Sequence, residues 1–448
     1  MGEIITISHS QFSGHVTTHL YNTQESLIPY TANTKLSHDL TTFLNRTPPP
    51  TGTSGVTYTP RSLLYDLRGG YGALNKYEYH ETIESLAAHV QLNTHTVSKS
   101  EYQLRLDAGE PPSKLTPANT KYWTDYTRLI FSPRSLQTIT SYEYDTDKGH
   151  HYRFPRVSFD TFDKGAEEFK ESFEDDEFRY FLEKCDLFTG LQVFTDLESA
   201  WAGYTSQWLT EITDEYFNKV DVWTFASASS NDNSRSTLNR IKGIVELYKS
   251  SSLMFPLIDQ IEETMISIED GLGGRKIANE IKVIATDAST ATDASTTNGI
   301  ISDIADVSAY YAHPPSAPTN PEIHLGIQQE STGNKYFSKN LVVTKDYVND
   351  IQQQPTPNIY INNSITNILG SDSFPSDILK FSKFHTEFNV HPGMYDQLKG
   401  YRQIVSRSNH PDLIKIVEDK SELVEDLSSI MEEYHWGEYD SDDDEFYD

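Results

Sequence analysis

Residues 190–216, GLQVFTDLESAWAGYTSQWLTEITDEY, order a strand, a short loop and a helix in the way that many α/β proteins cradle a phosphate. The β-branched and aromatic run Leu191-Gln192-Val193-Phe194-Thr195 reads as the strand. Apolar residues then recur with helical spacing at Leu197, Trp201, Trp208, Leu209, Ile212 and Tyr216. A main chain that holds phosphate needs glycines, so that its N–H groups can come close to the anion. This loop reads Glu198-Ser199-Ala200-Trp201-Ala202-Gly203-Tyr204, with a carboxylate at the turn, a bulky indole and a lone glycine. Crowding and charge both oppose the chemistry that the strand-loop-helix order invites.

Other candidate groups are weaker. His15 and His19 stand at i and i+4, a metal-binding spacing, but no further ligand lies near them and a plain helix face is preferred. Gly271-Leu272-Gly273-Gly274-Arg275-Lys276 lacks the spacing and the Ser or Thr of a phosphate loop, and reads as a helix stop and turn. His150-His151 falls in a polar, Tyr-rich stretch expected to be a surface loop. Trp201 and Trp208 are read as core rather than as a partner-binding surface. Cys185, the only cysteine, excludes an intrachain disulfide and reads as a buried, inert thiol on a helix stripe.

The elements that must position these groups alternate. Glu3–Ile7 and Ser62–Asp66 read as strands, Phe12–Tyr21 as a helix, and Glu167–Cys185 as one amphipathic helix. Gly190–Asp196 and Val220–Phe225 are further strands. This alternation predicts a parallel sheet covered on both faces, with ligands bound beyond the carboxyl ends of its strands. The expected organisation is a nucleotide-fold domain over 1–226, a helical connector over 227–284 and a low-complexity linker over 285–299. A smaller α+β domain over 300–436 and an acidic, disordered tail over 437–448 follow. Helical patterns run from Leu238 to Leu247, from Leu257 to Ile268 and from Leu413 to Tyr434; strands are expected at Asn340–Thr344 and Ile359–Ile361.

The chain has 448 residues and a net charge of -30, which argues against binding nucleic acid or an anionic lipid surface through charge. No apolar run approaches the ~20 residues that span a bilayer. The N-terminal residues lack the features of a signal peptide or presequence, so a cytosolic site of action is expected.

Three segments together carry a resemblance. Glu3–Ile7 with Gln11, then Pro60-Arg61 with Leu63-Leu64-Tyr65-Asp66-Leu67, then Cys185-Asp186, Gly190-Leu191-Gln192, Leu197 and Asp214-Glu215-Tyr216 are similar to segments around the tubulin nucleotide site. Asn22-Thr23-Gln24-Glu25-Ser26 combined with Tyr65 to Leu74 (YDLRGGYGAL) narrows this. The chain resembles the Misato family, tubulin-related proteins tied to mitochondrial distribution and to inheritance of mitochondrial DNA.

The resemblance implies a tubulin/FtsZ-like parallel-sheet α/β domain followed by a smaller α+β domain. It makes Gln11 and Asp66 the candidate residues of a vestigial GTP site, Gln11 for phosphate or a Mg²⁺-bound water and Asp66 for a hard cation. A strand-end hydrogen-bonding pair is the preferred reading of both. Ser10, Ser13 and Gly14 stand where tubulins have Gly, Gly and Asn. Glu198, Ser199, Ala200, Trp201, Ala202 and Tyr204 stand where they have Gly, Gly, Gly, Thr, Gly and Gly.

The expectation is a non-enzymatic protein without a required cofactor or metal. It would act peripherally on the cytosolic side of mitochondria and in the cytoplasm, through protein partners of cytoskeletal or chaperonin type. The alternatives are a GTP-binding protein that assembles or modulates microtubules, and an adaptor for tubulin-folding chaperones.

Overall fold

The computed structural model describes residues 3–26, 28, 40–47, 56–76, 97–115, 119–145, 150–153, 157–173, 175–216, 220–228, 234–251, 253–258, 338–343, 359–362, 385–390, 394–409, 411–417 and 420–433. The tandem ATDAST repeat, Gly271–Lys276 and the acidic segment 437–448 lie outside them.

The chain begins with β1 (Glu3–His9), α1 (Gln11–Ser26), the hairpin pair β2 (Leu44–Thr47) and β3 (Thr57–Pro60), and β4 (Ser62–Arg68). Helix α2 (Glu101–Asp107) and a 3₁₀ turn at Trp123–Tyr126 precede β5 (Leu136–Asp145), β6 (His150–Arg153) and β7 (Val157–Ser158). Next come α3 (Phe162–Ser172), α4 (Asp176–Glu183), β8 (Phe188–Asp196), α5 (Trp201–Tyr216), β9 (Asp221–Ala228), α6 (Ser234–Ser250) and β10 (Leu253–Ile258).

The main sheet has the order β10-β9-β8-β1-β4-β5-β6-β7. From β10 to β5 every pairing is parallel, and β6 and β7 add an antiparallel edge. Strand β1 is central and buried along its whole length, as a parallel strand covered on both faces must be. The chain builds outward from β1 through β4 to β5, then returns to its other side with β8. Strand order therefore reverses between β1 and β8, the place where open α/β sheets form a crevice. The register sets His9 against both Tyr65 of β4 and Thr195 of β8, in one row at the carboxyl ends.

Several local expectations need correction. The helix expected over Glu167–Cys185 is two, α3 and α4, separated around Phe173, whose extended backbone ends α3. Cys185 lies beyond both and is only partly buried. His150 and His151 belong to β6, because the alternating sequence from Leu136 onward forms a long strand that folds back on itself. Leu257, expected to open a helix, lies in β10, which pairs with β9 and continues the parallel sheet past residue 226. Pairing with a neighbour, rather than local pattern, decides such short apolar runs.

In the C-terminal part, β11 (Ser338–Val343) lies between β12 (Ile359–Asn362), which is parallel to it, and β13 (His385–Val390), which is antiparallel. Helices α7 (Met394–Arg407), α8 (Pro411–Ile416) and α9 (Lys420–Glu433) follow, so the stripe expected to make one helix from Leu413 makes two. Leu398, Val405, Leu413, Ile416, Leu423 and Leu427 from these helices join the same apolar core as Leu238, Ile241 and Ile244 of α6. Lys249 of α6 also pairs with Asp426 of α9 at 2.9 Å.

Candidate functional site

The crevice between β1 and β8 is filled with aromatic side chains. Helix α5 begins directly after the loop that leaves β8, and its Trp201, Tyr204 and Trp208 are fully buried. They surround His9: its ring lies 4.7 Å from Tyr65, 5.4 Å from Tyr204, 5.6 Å from Trp208 and 6.2 Å from Trp201. Phe159 closes the cluster edge-on to Trp201 at 5.2 Å. Offset and edge-to-face contacts of this kind add to the stabilisation from burial itself.

Thr205 Oγ1 lies 2.9 Å from His9 Nδ1 and 2.7 Å from both the Trp201 carbonyl oxygen and Thr195 Oγ1. His9 Nε2 is buried and has no hydrogen-bond partner among the described residues. Burial pushes the His9 pKa down to about 3, which keeps the ring neutral.

Close helix packing brings α3 against the start of α5. A Cβ on Gly165 would lie 1.7 Å from the carbonyl oxygen of Ala200, and one on Gly203 would lie 1.9 Å from that of Phe162. These glycines let two backbones touch. Gly203, the lone glycine of the loop motif, therefore serves contact with α3.

The main-chain N–H groups at the start of α5 are directed to protein acceptors. Asp196 Oδ1 accepts from Glu198 N (2.9 Å) and Oδ2 accepts from the Ser199 hydroxyl (2.7 Å). Ser199 Oγ accepts from Trp201 N (3.4 Å), the Phe159 carbonyl from Ala200 N (3.5 Å) and the Ser199 carbonyl from Ala202 N (3.4 Å). A carboxylate of the chain itself thus takes the anion position at a helix N-terminus. Burial pushes the Asp196 pKa up, while the bonds from Glu198 N and Ser199 pull it back.

Helix α6 completes the closure. Arg240 Nη2 donates to Glu198 Oε1 at 3.0 Å, in a pair whose side chains are 7% and 15% exposed. The carboxylate that would oppose a phosphate is neutralised by this cation. Asn239 beside it donates to the carbonyls of Asp160 (2.7 Å) and Glu198 (3.0 Å) and accepts from Phe162 N (3.2 Å). One buried amide thereby ties together the loop before α3 and the loop before α5.

On the other flank of β1 the arrangement differs. Ser10 adopts φ +130°, a backbone that favours glycine. It is held there by Ser13 N donating to its Oγ (3.0 Å), which caps α1, and by its N–H donating to the Tyr65 carbonyl (3.3 Å). Gln11, the first residue of α1, is buried. Asp66 is buried on β4, where Oδ1 accepts from Leu67 N (2.8 Å) and Oδ2 from Trp123 Nε1 (3.2 Å). Burial pushes its pKa up to about 7.

Glycine positions leave room for this cover. A Cβ on Gly14 would lie 2.6 Å from the Trp123 ring, and one on Gly70 would lie 2.4 Å from the Asp66 carboxyl group. Gly14 and Trp123 thus lie over the carboxylate on the side of α1. His15 and His19 both face Tyr126, His15 Nδ1 at 2.7 Å from its hydroxyl and the His19 ring 5.0 Å from its ring. No cluster of metal-ligating residues occurs among the described residues.

The structure thus places Gln11 and Asp66 on the α1–β4 flank. Sequence reading missed Asp196, Ser199, Asn239, Arg240 and Trp123. An Asp followed after three residues by Ser at a strand end is a readable capping signal for the first two. Nothing local marks the other three, whose partners lie 41, 42 and 57 positions away.

A parallel sheet with these loops at its carboxyl end defines the class as tubulin-like, and residues 112–283 match the family model described as a tubulin domain. Residues 2–116 match the Misato Segment II tubulin-like domain. The chain is 37% identical to Protein DML1 of Scheffersomyces stipitis, over 97% of each chain. It is 36% identical to Protein DML1 of Debaryomyces hansenii over 100% of this chain and 99% of the other, and 34% identical to that of Candida albicans over the whole of both. The chain belongs to the Misato/DML1 family of tubulin-like proteins.

Proposed function

We propose that this protein is a non-catalytic member of the tubulin-like class, a scaffold whose fold no longer depends on a guanine nucleotide. It works through its surfaces in mitochondrial organisation, partitioning and inheritance of mitochondrial DNA. The observation that carries the first part is the hydrogen bonding at the start of α5. Asp196, Ser199 and the Phe159 carbonyl occupy the amides that a phosphate would need, and the Glu198–Arg240 pair lies across the same loop.

A triphosphate with Mg²⁺ does not fit residues so arranged. Entry would require breaking those bonds, displacing Trp201 and bringing the anion against two carboxylates. Asp66 is held in place as well, with Leu67 N and Trp123 Nε1 donating to its two oxygens, so a cation would have to compete with the indole N–H and its cover. The mitochondrial role is supported by the family resemblance; the partners would be proteins of cytoskeletal or chaperonin type, met on the cytosolic face of the organelle. No helix among the described residues is long and apolar enough to cross a membrane.

Isothermal titration of the purified chain with GTP and Mg²⁺ tests the first part. We expect no saturable heat up to millimolar nucleotide; micromolar affinity overturns the reading and favours a GTP-binding cytoskeletal protein. Depletion of the protein in cells, with imaging of mitochondrial DNA, tests the second: unchanged distribution and transmission would remove it.

A further inference from the structure

A cavity of about 580 Å³ opens between α2, the Trp123–Tyr126 turn and the segment leading into β5, away from the aromatic cluster around His9. This volume lies in the range of ordinary ligand pockets. Leu129, Phe131 and Leu136 give it an apolar wall, and Lys76, Lys99 and Arg128 give it cations. Ile130 lies at the same wall and is 44% exposed.

The charges are not equivalent. Lys99 is bonded to Asp107 at 2.5 Å and Arg128 to Glu25 at 2.7 Å. Gln103 donates through its side-chain nitrogen to the carbonyls of Thr124 and Thr127, and Asp125 accepts from Tyr122 N. Lys76 forms no ion pair among the described residues. It is half-buried, and Glu177 and Arg134 act on it with opposite sign. Removing an ammonium from water without a partner is costly, and an incoming anion recovers that cost. The cavity thus joins an apolar wall to a half-buried cation that forms no ion pair among the described residues, in a chain whose net charge is -30.

We propose that this cavity receives a carboxylate flanked by an aromatic ring, supplied by the acidic segment 438–448 of the same chain. That segment, EYDSDDDEFYD, carries carboxylates at Glu438, Asp440, Asp442, Asp443, Asp444, Glu445 and Asp448, with Tyr439, Phe446 and Tyr447 among them and no Lys or Arg. Charge complementarity selects it, and its rings match the wall formed by Leu129, Phe131 and Leu136. Residues 434–446, fully extended at ~3.5 Å each, would span about 45 Å, more than twice the ~19 Å that four strand spacings put between β9 and β5 in the plane of the sheet. A tethered segment acts at millimolar effective concentration, so modest contacts are enough to hold it.

The test uses the full chain. Zero-length carbodiimide coupling joins amines to carboxylates in contact, and mass spectrometry maps the products. We expect Lys76 joined to an acid within 438–448, with Lys99–Asp107 as an internal control. A mixture of ¹⁵N-labelled and unlabelled chains should give that product within one isotope only. Capture of the control without any Lys76–tail product, or coupling of Lys76 to Glu177 alone, overturns the proposal. A product that links two copies overturns it equally.

A second measurement follows binding of a fluorescein-labelled peptide of residues 437–448 by anisotropy. The full chain carrying Phe446→Ser and Tyr447→Ser should bind the peptide at least about tenfold more tightly than the unaltered chain, whose own tail competes. Adding Lys76→Met should abolish that gain while circular dichroism stays unchanged. Peptide binding indifferent to Lys76→Met sinks the idea.

Discussion

On the β8 side of β1, the carboxyl end of the sheet is closed by side chains that belong to a helix and by a carboxylate that caps it. On the β4 side, polar residues and glycines persist, and a single tryptophan from a 3₁₀ turn lies over them. On the first flank the main-chain N–H groups are satisfied from within the chain, Glu198 N by the Asp196 carboxylate and Ala200, Trp201 and Ala202 N by a hydroxyl and carbonyls. The second flank retains a glycine-like backbone at Ser10 and a carboxylate at Asp66, at a cost in strain and desolvation. The contrast shows that a binding end can be closed either by substitution of the ligand's charge or by burial of the protein's own.

The largest blow to this contrast should come from Gly203→Val. The Phe162 carbonyl stands where the new Cβ would go, and backbone cannot step aside, so a loss above about 4 kcal/mol is expected in urea unfolding. Gly70→Ala meets the Asp66 side chain instead and should cost about 1–3 kcal/mol. Equal costs would erase the distinction between a backbone-limited and a side-chain-limited flank.

Next in size is the Glu198–Arg240 pair. Arg240→Ala leaves a carboxylate without its cation in a nearly sealed site and should cost about 3–5 kcal/mol. Glu198→Leu with Arg240→Met removes both charges and should recover most of that loss. If the double variant is as unstable as the single one, the pair is not what holds the loop.

Proton linkage sharpens the comparison further. The Asp66 pKa is raised to about 7 in the folded chain from an ordinary 3.8, so the folded state holds the proton more tightly. Its contribution to stability is present below pH 4, falls as pH rises from about 4 to 7, and is level above. Asp66→Asn should therefore gain on the unaltered chain by about 1 kcal/mol per pH unit across that window, measured as urea midpoints from pH 4.5 to 7.5. The pKa values of His9 and His19 are lowered to about 3 by burial, so their effect has the opposite sign: stability falls as pH drops from about 6.5 to 3. A flat difference between Asp66→Asn and the parent would show that Asp66 is not desolvated.

The smallest effect is expected at Ser10. Ser10→Gly relieves about 1–3 kcal/mol of backbone strain and gives up a cap worth about 1 kcal/mol, leaving a modest net gain. Ser10→Ala keeps the strain and loses the cap, so its midpoint in thermal unfolding should fall below both. Reversal of that order would remove the argument that this position keeps a glycine's conformation.

Much of the fold could be read along the chain, and less of the site. The runs at Glu3–His9, Ser62–Arg68, Phe188–Asp196 and Asp221–Ala228 are legible because strands buried on both faces are rich in consecutive apolar, β-branched and aromatic residues, with few positions left to solvent. Strands β5 and β10 escaped, the first alternating and exposed on one side, the second short and ending in a run that also suits a helix. The displacement of phosphate-loop glycines by Glu198 to Tyr204 was visible as residue types. The bonds that make this displacement stable, from Asn239, Arg240 and Phe159, were not.

The sequence by itself determined which strands are buried, that the loop after β8 carries bulk and charge where glycines are needed, and that one stretch is acidic without a compensating base. Those properties follow from side-chain volume, charge and local period, which every residue carries wherever it lies. Only the tertiary structure decided that Glu198 meets Arg240, that the Phe159 carbonyl accepts from Ala200 at the start of α5 and that Trp123 covers Asp66. Each pairing depends on helix packing and sheet register, which bring distant positions within hydrogen-bonding distance and have no signature in local order.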